Sequence, residues 1–255
     1  LYQLSLPEMR KPNVHAQLFM LRSTLSLWGG LALLALICLM WTPFALFLLA
    51  LPHFEGREKL GRHIIRRGFS SYLWILQGLG WLHLSIENWD SIRASKPSIV
   101  TPNHPGLLDA VILLTHLPDC TCILKSSLLN HPLFGAGARL AGFIPNDQTH
   151  EMIRQAVKAL ESGQHVLMFP EGTRTEMPPI SPLKMSPFVI AWKAQSDLRT
   201  VLIQNPSGFL GKHQPLFYPP PLPISMTVQP GRVFSPEKNV RALAKEVENY
   251  FASAL

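Results

Sequence analysis

The N-terminal part of the chain contains one long apolar stretch. Between Ser23 and Phe54 there are 32 consecutive residues without Asp, Glu, Lys or Arg. A helix needs only about 20 apolar residues to cross a bilayer, and a signal-peptide core is shorter, at about 7–15 residues. The stretch therefore predicts a membrane anchor that is not cleaved. Thr42-Pro43 interrupts it, so a single kinked helix and a re-entrant helical hairpin both remain open.

A basic amphipathic pattern follows the apolar stretch directly. Apolar side chains recur there at helical spacing, interleaved with five basic residues: Arg57, Lys59, Arg62, Arg66 and Arg67. This pattern is typical of a helix on an anionic membrane surface, although a solvated charged face produces it too. Because positive charge beside an anchor favours the cytoplasm, we expect the rest of the chain on the cytoplasmic face of a membrane. Basic residues before the apolar stretch weaken this contrast: Arg10, Lys11 and Arg22.

From about residue 98 onward, short β-prone runs alternate with helical patterns. The β-prone runs lie at 98–101, 121–124, 165–169, 201–204 and 224–229. Helical periodicity is found at 107–117, 151–162 and 238–254. This alternation predicts an α/β fold with a mixed, partly parallel sheet flanked by helices. An N-terminal membrane-anchoring helix or helical hairpin precedes it.

The amino-acid composition excludes several classes of protein and indicates which partners to expect. Hydrophobic residues make up 47% of the chain and charged residues 15%, which excludes a disordered or collagen-like protein. The formal net charge of +7 is concentrated beside the apolar stretch, so we expect membrane lipids and no nucleic acid as partners. Three cysteines are too few for a disulfide framework and lack the spacing of a metal site, so we expect no bound metal.

The first candidate site follows the β-prone run at 98–101. Asn103 and His104 precede a Pro-Gly turn, and Asp109 then falls in the first turn of the next helix. A carboxylate that holds an imidazole fixes its tautomer and raises its basicity, which is what a general base for a hydroxyl requires. The motif alone is weak, because a His and an Asp at this spacing also arise by chance.

The second candidate site follows the β-prone run at 165–169. It contains Glu171, Gly172, Thr173 and Arg174. The glycine turn offers backbone N–H groups, the threonine a hydroxyl and the arginine a planar fork, and all three suit a phosphate or another oxyanion. Glu171 would hold Arg174 or contact the substrate. Taken alone, an Arg–Glu pair on a surface turn explains this motif better.

Together, in this order and spacing, the two motifs resemble the glycerolipid acyltransferase family, whose best-known members are the 1-acyl-sn-glycerol-3-phosphate (lysophosphatidate) acyltransferases. The segment from Asn103 to Asp109 resembles the family's N-H-x4-D block, and Phe169–Thr175 matches its F-P-E-G-T-R block. Between the two blocks, four residues resemble the family's further spacing: Lys125, Pro132, Gly135 and Gly142. The resemblance covers roughly residues 60–255.

The resemblance implies transfer of an acyl group from an acyl thioester, on coenzyme A or acyl carrier protein, to a lysolipid hydroxyl, without a cofactor. His104 would deprotonate the hydroxyl and Asp109 would orient the imidazole, with Asn103 beside them. The segment 171–174 would bind the acceptor's polar head, and Lys125 is a weaker candidate for oxyanion stabilisation. The implied organisation is an anchor segment at 1–56, a basic interfacial helix and connection at 57–97, and a catalytic domain at 98–255.

One departure from the family pattern affects the acceptor. Where the family usually has an arginine that helps to hold a phosphate, this chain has Asn146-Asp147. Because Asp147 would repel a phosphate, we expect a less anionic acceptor, such as a lyso-aminolipid or another hydroxylated lipid, unless Arg139 or Lys184 replaces the arginine. The alternative from another class is a non-catalytic lipid-binding or scaffold protein in the membrane. A serine hydrolase and a zinc hydrolase are disfavoured because G-x-S-x-G and H-E-x-x-H are both absent.

Overall fold

The computed structural model describes residues 14–93, 95–215 and 218–255. Within these residues one sheet has seven strands: β1 (Leu82–Ile86), β2 (Ile99–Pro102), β3 (Cys120–Leu124), β4 (Ile144–Pro145), β5 (His165–Leu167), β6 (Leu198–Gln204) and β7 (Ile224–Phe234). Their order across the sheet is β1-β7-β6-β2-β5-β3-β4. The five strands from β6 to β4 are mutually parallel, and β7 runs antiparallel to β6. The prediction of a mixed, partly parallel sheet is confirmed.

Helices cover both faces of this sheet. They are α1 (Val14–Ala50), α2 (Arg57–Gly78), α3 (Asp90–Arg93), α4 (Leu108–His116), α5 (Gly135–Leu140), α6 (Thr149–Glu161), α7 (Ser186–Ala194) and α8 (Val240–Ala254). Successive strand residues point to opposite faces, so Val100 packs with α1, α2 and α4 while Ile99 packs with α6, α7 and α8. Two apolar cores therefore enclose the central strands.

The helix α1 is continuous across the interruption noted in the sequence. Pro43 lies inside it and removes one backbone donor, while the Thr42 hydroxyl donates to the Cys38 carbonyl at 2.8 Å. The re-entrant hairpin within the apolar stretch is therefore wrong, and the single helix is correct. Gln17–Ala50 is long and apolar enough to cross a membrane by length and composition.

One face of α1 packs on the rest of the chain over most of its length. Leu27 joins the core formed with α2 and α4, and Ala45 and Leu48 pack against α5. The opposite face is apolar and exposed; it includes Leu25, Leu36, Leu39, Met40, Phe44 and Phe47. The helix α1 is thus packed on the globular unit along one side and carries an exposed apolar face on the other.

The helix α2 and the strand β1 change the boundaries expected from the sequence. Tyr72 and Leu76 of α2 belong to the main core, and β1 pairs in parallel with β7, so residues 57–97 are part of the globular unit and not a connection to it. The guanidinium of Arg62 is also buried: it donates to Asp119 Oδ1 at 2.7 Å and to the Ala141 carbonyl at 3.1 Å. The prediction that all five basic residues of this segment face a membrane is wrong for Arg62, because helical spacing alone does not show which neighbours a helix meets.

Candidate active site

The two sequence motifs meet at one edge of the sheet. The strands β6, β2, β5 and β3 are neighbours and run in parallel, so the loops that follow them emerge side by side. Neighbouring strands are about 4.8 Å apart, which places these loops within side-chain reach of each other. Open α/β sheets usually carry their sites at this carboxyl edge.

His104 and Asp109 form a hydrogen-bonded pair at this edge. His104 Nδ1 lies 2.9 Å from Asp109 Oδ2, and the Gly106 backbone N–H donates to the same oxygen at 2.8 Å. Because a carboxylate accepts hydrogen bonds, Nδ1 carries the proton of the neutral imidazole and Nε2 is its basic nitrogen. The sequence prediction that these two residues meet is therefore matched by the geometry.

The environment of Asp109 is unusual for a charged group. Its side chain is completely buried, and Oδ1 has no hydrogen-bond partner among the described residues. Burial raises the pKa of Asp109, while the hydrogen bond and the charge of His104 and the Gly106 N–H act in the opposite direction. A buried carboxylate of this kind gains most when the neighbouring imidazole becomes positively charged.

The ring of His104 is held by a second contact. It stacks on the Phe169 ring at 3.8 Å between centroids, with 22° between the planes. The side chain is 14% exposed, and Nε2 makes no hydrogen bond within the described residues. The ring is thus fixed on one side by Asp109 and on one face by Phe169, with Nε2 left for another partner.

Glu171 links the two motifs through hydrogen bonds. Its Oε1 accepts the His104 backbone N–H at 2.9 Å and the Thr175 hydroxyl at 2.8 Å. Its Oε2 accepts the Ser181 backbone N–H at 2.9 Å, and the residue is only 2% exposed. Glu171 therefore positions the loop that carries His104, and no Glu171–Arg174 ion pair is found in the described part of the chain.

The three residues that follow Glu171 are more exposed to solvent than Glu171 itself. Gly172 has φ +73°, a conformation that favours glycine, and it is exposed. Thr173 and Arg174 are half-buried, and Arg174 Nη1 donates to the Leu210 and Gly211 carbonyls, both at 2.9 Å. Arg174 thus connects the loop after β6 to the site through Nη1. Its Nε and Nη2 groups donate no hydrogen bond within the described residues.

The other predicted residues lie in distinct places. Asn103 is buried, and its amide exchanges hydrogen bonds of 2.9 and 2.7 Å with the Ile203 backbone, so it joins β2 to β6 behind His104. Lys125 is exposed at the end of β3, next to β5. Asp147 is exposed beyond β4, two strands from β5, which corresponds to about 10 Å at ordinary strand spacing.

The structure adds residues that sequence reasoning missed. Ser181 lies ten residues beyond Glu171, and its backbone N–H donates to the carboxylate of that residue. Lys212 comes from the loop after β6, and its Nζ lies 3.2 Å from Thr173 Oγ1. Neither belongs to a local motif, so only their contacts reveal them. Groups of three or more His, Cys, Asp or Glu that could hold a metal ion do not occur among the described residues.

The chain is similar to known acyltransferases over the part that carries these residues. The family model described as Acyltransferase matches residues 83–204, which include His104, Asp109 and the 171–174 turn. The 1-acyl-sn-glycerol-3-phosphate acyltransferase alpha of Mus musculus is 30% identical over 133 residues, covering 49% of this chain and 47% of the relative. The lyso-ornithine lipid O-acyltransferase of Rhizobium meliloti is 28% identical over 130 residues, covering 48% and 44%. The chain spans about half the length of the curated relatives that it matches.

A solved structure shares the fold over nearly the whole chain. The 1-acyl-sn-glycerophosphate (LPA) acyltransferase PlsC from Thermotoga maritima aligns with a TM-score of 0.68 and 20% identity, covering 93% of this chain and 95% of that one. At this identity the likeness shows the fold. Together with the matched domain and the relatives, it shows what this chain is similar to: residues 83–204 match the family model described as Acyltransferase, and the chain resembles 1-acyl-sn-glycerol-3-phosphate acyltransferases.

Proposed function

We propose that the chain transfers a fatty acyl group from an acyl thioester, on coenzyme A or acyl carrier protein, to the hydroxyl of a lysolipid. The observation that supports this proposal is the His104–Asp109 pair at 2.9 Å at the carboxyl edge of the sheet, with Nε2 not hydrogen-bonded to any described residue. A hydroxyl is a weak nucleophile, and a positioned base within hydrogen-bond reach is what activates it.

The reaction follows from the two nitrogens of the imidazole. Nε2 takes the proton of the acceptor hydroxyl while the hydroxyl oxygen attacks the thioester carbonyl carbon. Asp109 stabilises the resulting imidazolium through its hydrogen bond with Nδ1–H. The tetrahedral intermediate collapses, the carbon–sulfur bond breaks, and the proton on Nε2 passes to the departing thiolate. An ester and a free thiol result, without an acyl-enzyme and without a cofactor. Lys125 at the end of β3 is the candidate for stabilising the oxyanion.

We further propose that the chain works on a membrane. The exposed apolar face of α1 supports this, because a contiguous apolar surface of this kind is unstable in water. The other face of α1 packs on the globular unit, so the unit would lie against the bilayer. The basic residues that follow the apolar stretch favour the cytoplasmic face of the membrane. Both substrates of the proposed reaction carry acyl chains that such a surface would receive.

The experiment uses the full chain in detergent micelles with one acyl-CoA and a lysolipid. His104→Ala removes the base, so we expect kcat to fall by about 10² to 10⁴ without unfolding. His150→Ala is the matched control, because His150 is an exposed histidine in the first turn of α6. If His104→Ala retained wild-type turnover, His104 would not be the base; if the wild type bound lysolipid without any turnover, a non-catalytic lipid-binding protein would replace the proposal.

A further inference from the structure

The loop after β6, residues 205–215, lies across both motifs of the site. The Leu107 backbone N–H donates to the Leu210 carbonyl at 3.3 Å. Arg174 donates hydrogen bonds to the carbonyls of Leu210 and Gly211. At Gly106 a Cβ atom would come within 2.8 Å of another carbonyl of this loop, so the two backbones are in close contact. The loop is therefore fixed relative to His104 and to the 171–174 turn.

This loop places one ammonium group on the turn. Lys212 Nζ lies 3.2 Å from Thr173 Oγ1 and 3.1 Å from Glu176 Oε1. The Lys212 side chain is 37% exposed, so its charge remains accessible to a ligand. An ammonium has three donors, and the two contacts account for two of them.

A second positive charge beside Arg174 would strengthen the binding of an anion at this turn. Arg174 is tied through Nη1 to the loop, and Asn146-Asp147 occupies the place where the family pattern has an arginine. The two substitutes considered from the sequence lie in different places. Arg139 Nη1 donates to the Leu129 carbonyl at 2.8 Å. Lys184 lies with Cγ and Cε over Gly172, so it is a neighbour of the turn, whereas Lys212 Nζ contacts Thr173 directly.

We propose that Lys212 is a specificity-determining residue that binds an anionic group of the acceptor, a phosphate or a carboxylate, together with Arg174 and the Thr173 hydroxyl. This inference rests on the proposed function. Glu176 holds the ammonium when no acceptor is present, and the anion takes its place as the partner. Lys212 lies beyond residue 204, where the match to the family domain ends.

The test compares Lys212→Met with Lys238→Met in the full chain. Lys238 is an exposed lysine that follows β7, which runs antiparallel to β6, so it lies at the opposite edge of the sheet. Three acceptors are used with one acyl-CoA: lysophosphatidate, a lyso-aminolipid that carries a free carboxylate, and uncharged monoacylglycerol. We expect Lys212→Met to raise KM for an anionic acceptor by about tenfold or more, with kcat little changed.

The acceptor series distinguishes the two anions. A loss for lysophosphatidate alone identifies phosphate as the group bound, and a loss for the carboxylate acceptor alone identifies carboxylate. An equal loss with monoacylglycerol would overturn the inference, because a lysine that only stabilises the loop affects every acceptor alike. A wild-type preference for monoacylglycerol over both anionic acceptors would overturn it as well.

Two further variants separate recognition from a structural role. Glu176→Gln removes the competing carboxylate, so KM for the anionic acceptor should be unchanged or lower, whereas loss of a structural ion pair would impair this variant as much as Lys212→Met. Lys212→Arg should retain most of the wild-type KM because it keeps the charge. Equal impairment of Glu176→Gln and Lys212→Met would contradict the inference.

Binding measurements keep the inference apart from the proposed function. Lysophosphatidate and the carboxylate acceptor are titrated calorimetrically into His104→Ala, with and without Lys212→Met. If the chain proved catalytically inactive but either titration weakened about tenfold with Lys212→Met, the inference would stand and the proposed reaction would fail. If both affinities were unaffected by Lys212→Met, the inference would fail whatever the activity.

Discussion

Asp109→Asn isolates the charge of the buried carboxylate from its shape. In the wild type, Oδ2 accepts both the His104 Nδ1–H and the Gly106 N–H, while Oδ1 has no partner in the described chain. An asparagine can place its amide oxygen at Oδ2 and its NH₂ group at Oδ1, so both hydrogen bonds can persist. What is lost is the negative charge that faces the imidazolium formed during proton transfer.

The magnitude follows from the geometry of the pair. With the charges about 4 Å apart and an effective dielectric constant of about 20, their attraction is about 4 kcal/mol. Asp109 is completely buried, so solvent screens this attraction little. At about 1.4 kcal/mol per tenfold change in rate, Asp109→Asn should lower kcat by about 10³.

Thermal unfolding provides the second half of this test. Burial raises the pKa of Asp109, which means that the folded state disfavours the ionised carboxylate at neutral pH. The neutral asparagine removes this cost, so we expect the melting temperature of Asp109→Asn to be equal to or above that of the wild type. Asp90→Asn, at a fully solvated carboxylate, is the control.

The result that would refute the reasoning is specific. If Asp109→Asn kept more than a tenth of the wild-type kcat while folded, the carboxylate charge would not stabilise the transition state, and orientation of the imidazole alone would explain the pair. A large drop in melting temperature would instead show that the hydrogen bonds at Oδ2 are not preserved. Activity and unfolding are therefore measured on the same preparation.

Two further predictions concern the membrane and pH. Met40→Lys combined with Phe47→Lys places charges on the exposed face of α1, so vesicle flotation should fall about tenfold or more without a change in melting temperature, whereas Val233→Lys should float normally. Burial lowers the pKa of His165, so the unfolded chain binds a proton below about pH 6.5 that the folded chain resists. Stability should therefore decrease from about pH 7.5 to about pH 5.5, and His165→Gln should reduce this slope in thermal unfolding; an unchanged slope would contradict the assignment.

Local patterns in the sequence were sufficient for most elements of the fold. The helices expected at 107–117 and 151–162 are observed as Leu108–His116 and Thr149–Glu161, because their apolar spacing and glycine boundaries are local properties. The short strand β4 and the helix α5 were not anticipated, since each has too few residues to show a period. The edge strand β1 was missed because its partner β7 lies about 140 residues away in the sequence.

The chemistry-bearing residues were also identifiable from the sequence, but their partners were not. His104 and Asp109 are five residues apart, on either side of the Pro105-Gly106 turn, so their pairing is determined by local geometry. Glu171 was expected to hold Arg174 or the substrate, whereas it braces the loop of His104, and Arg174 instead holds the loop after β6. These choices depend on which strands are neighbours.

The sequence by itself thus determined the type of fold and the apolar helix, which follow from periodicity, and it indicated His104 and Asp109 through the joint resemblance of two motifs. Tertiary structure decided that α1 is one continuous helix packed on the domain, that Arg62 is buried against Asp119, and that Lys212 reaches Thr173. The physical reason is that a parallel sheet brings together loops that are distant in the chain. Strand order therefore decides which hydrogen-bond donors and acceptors lie next to a buried polar group. A local sequence pattern does not contain that information.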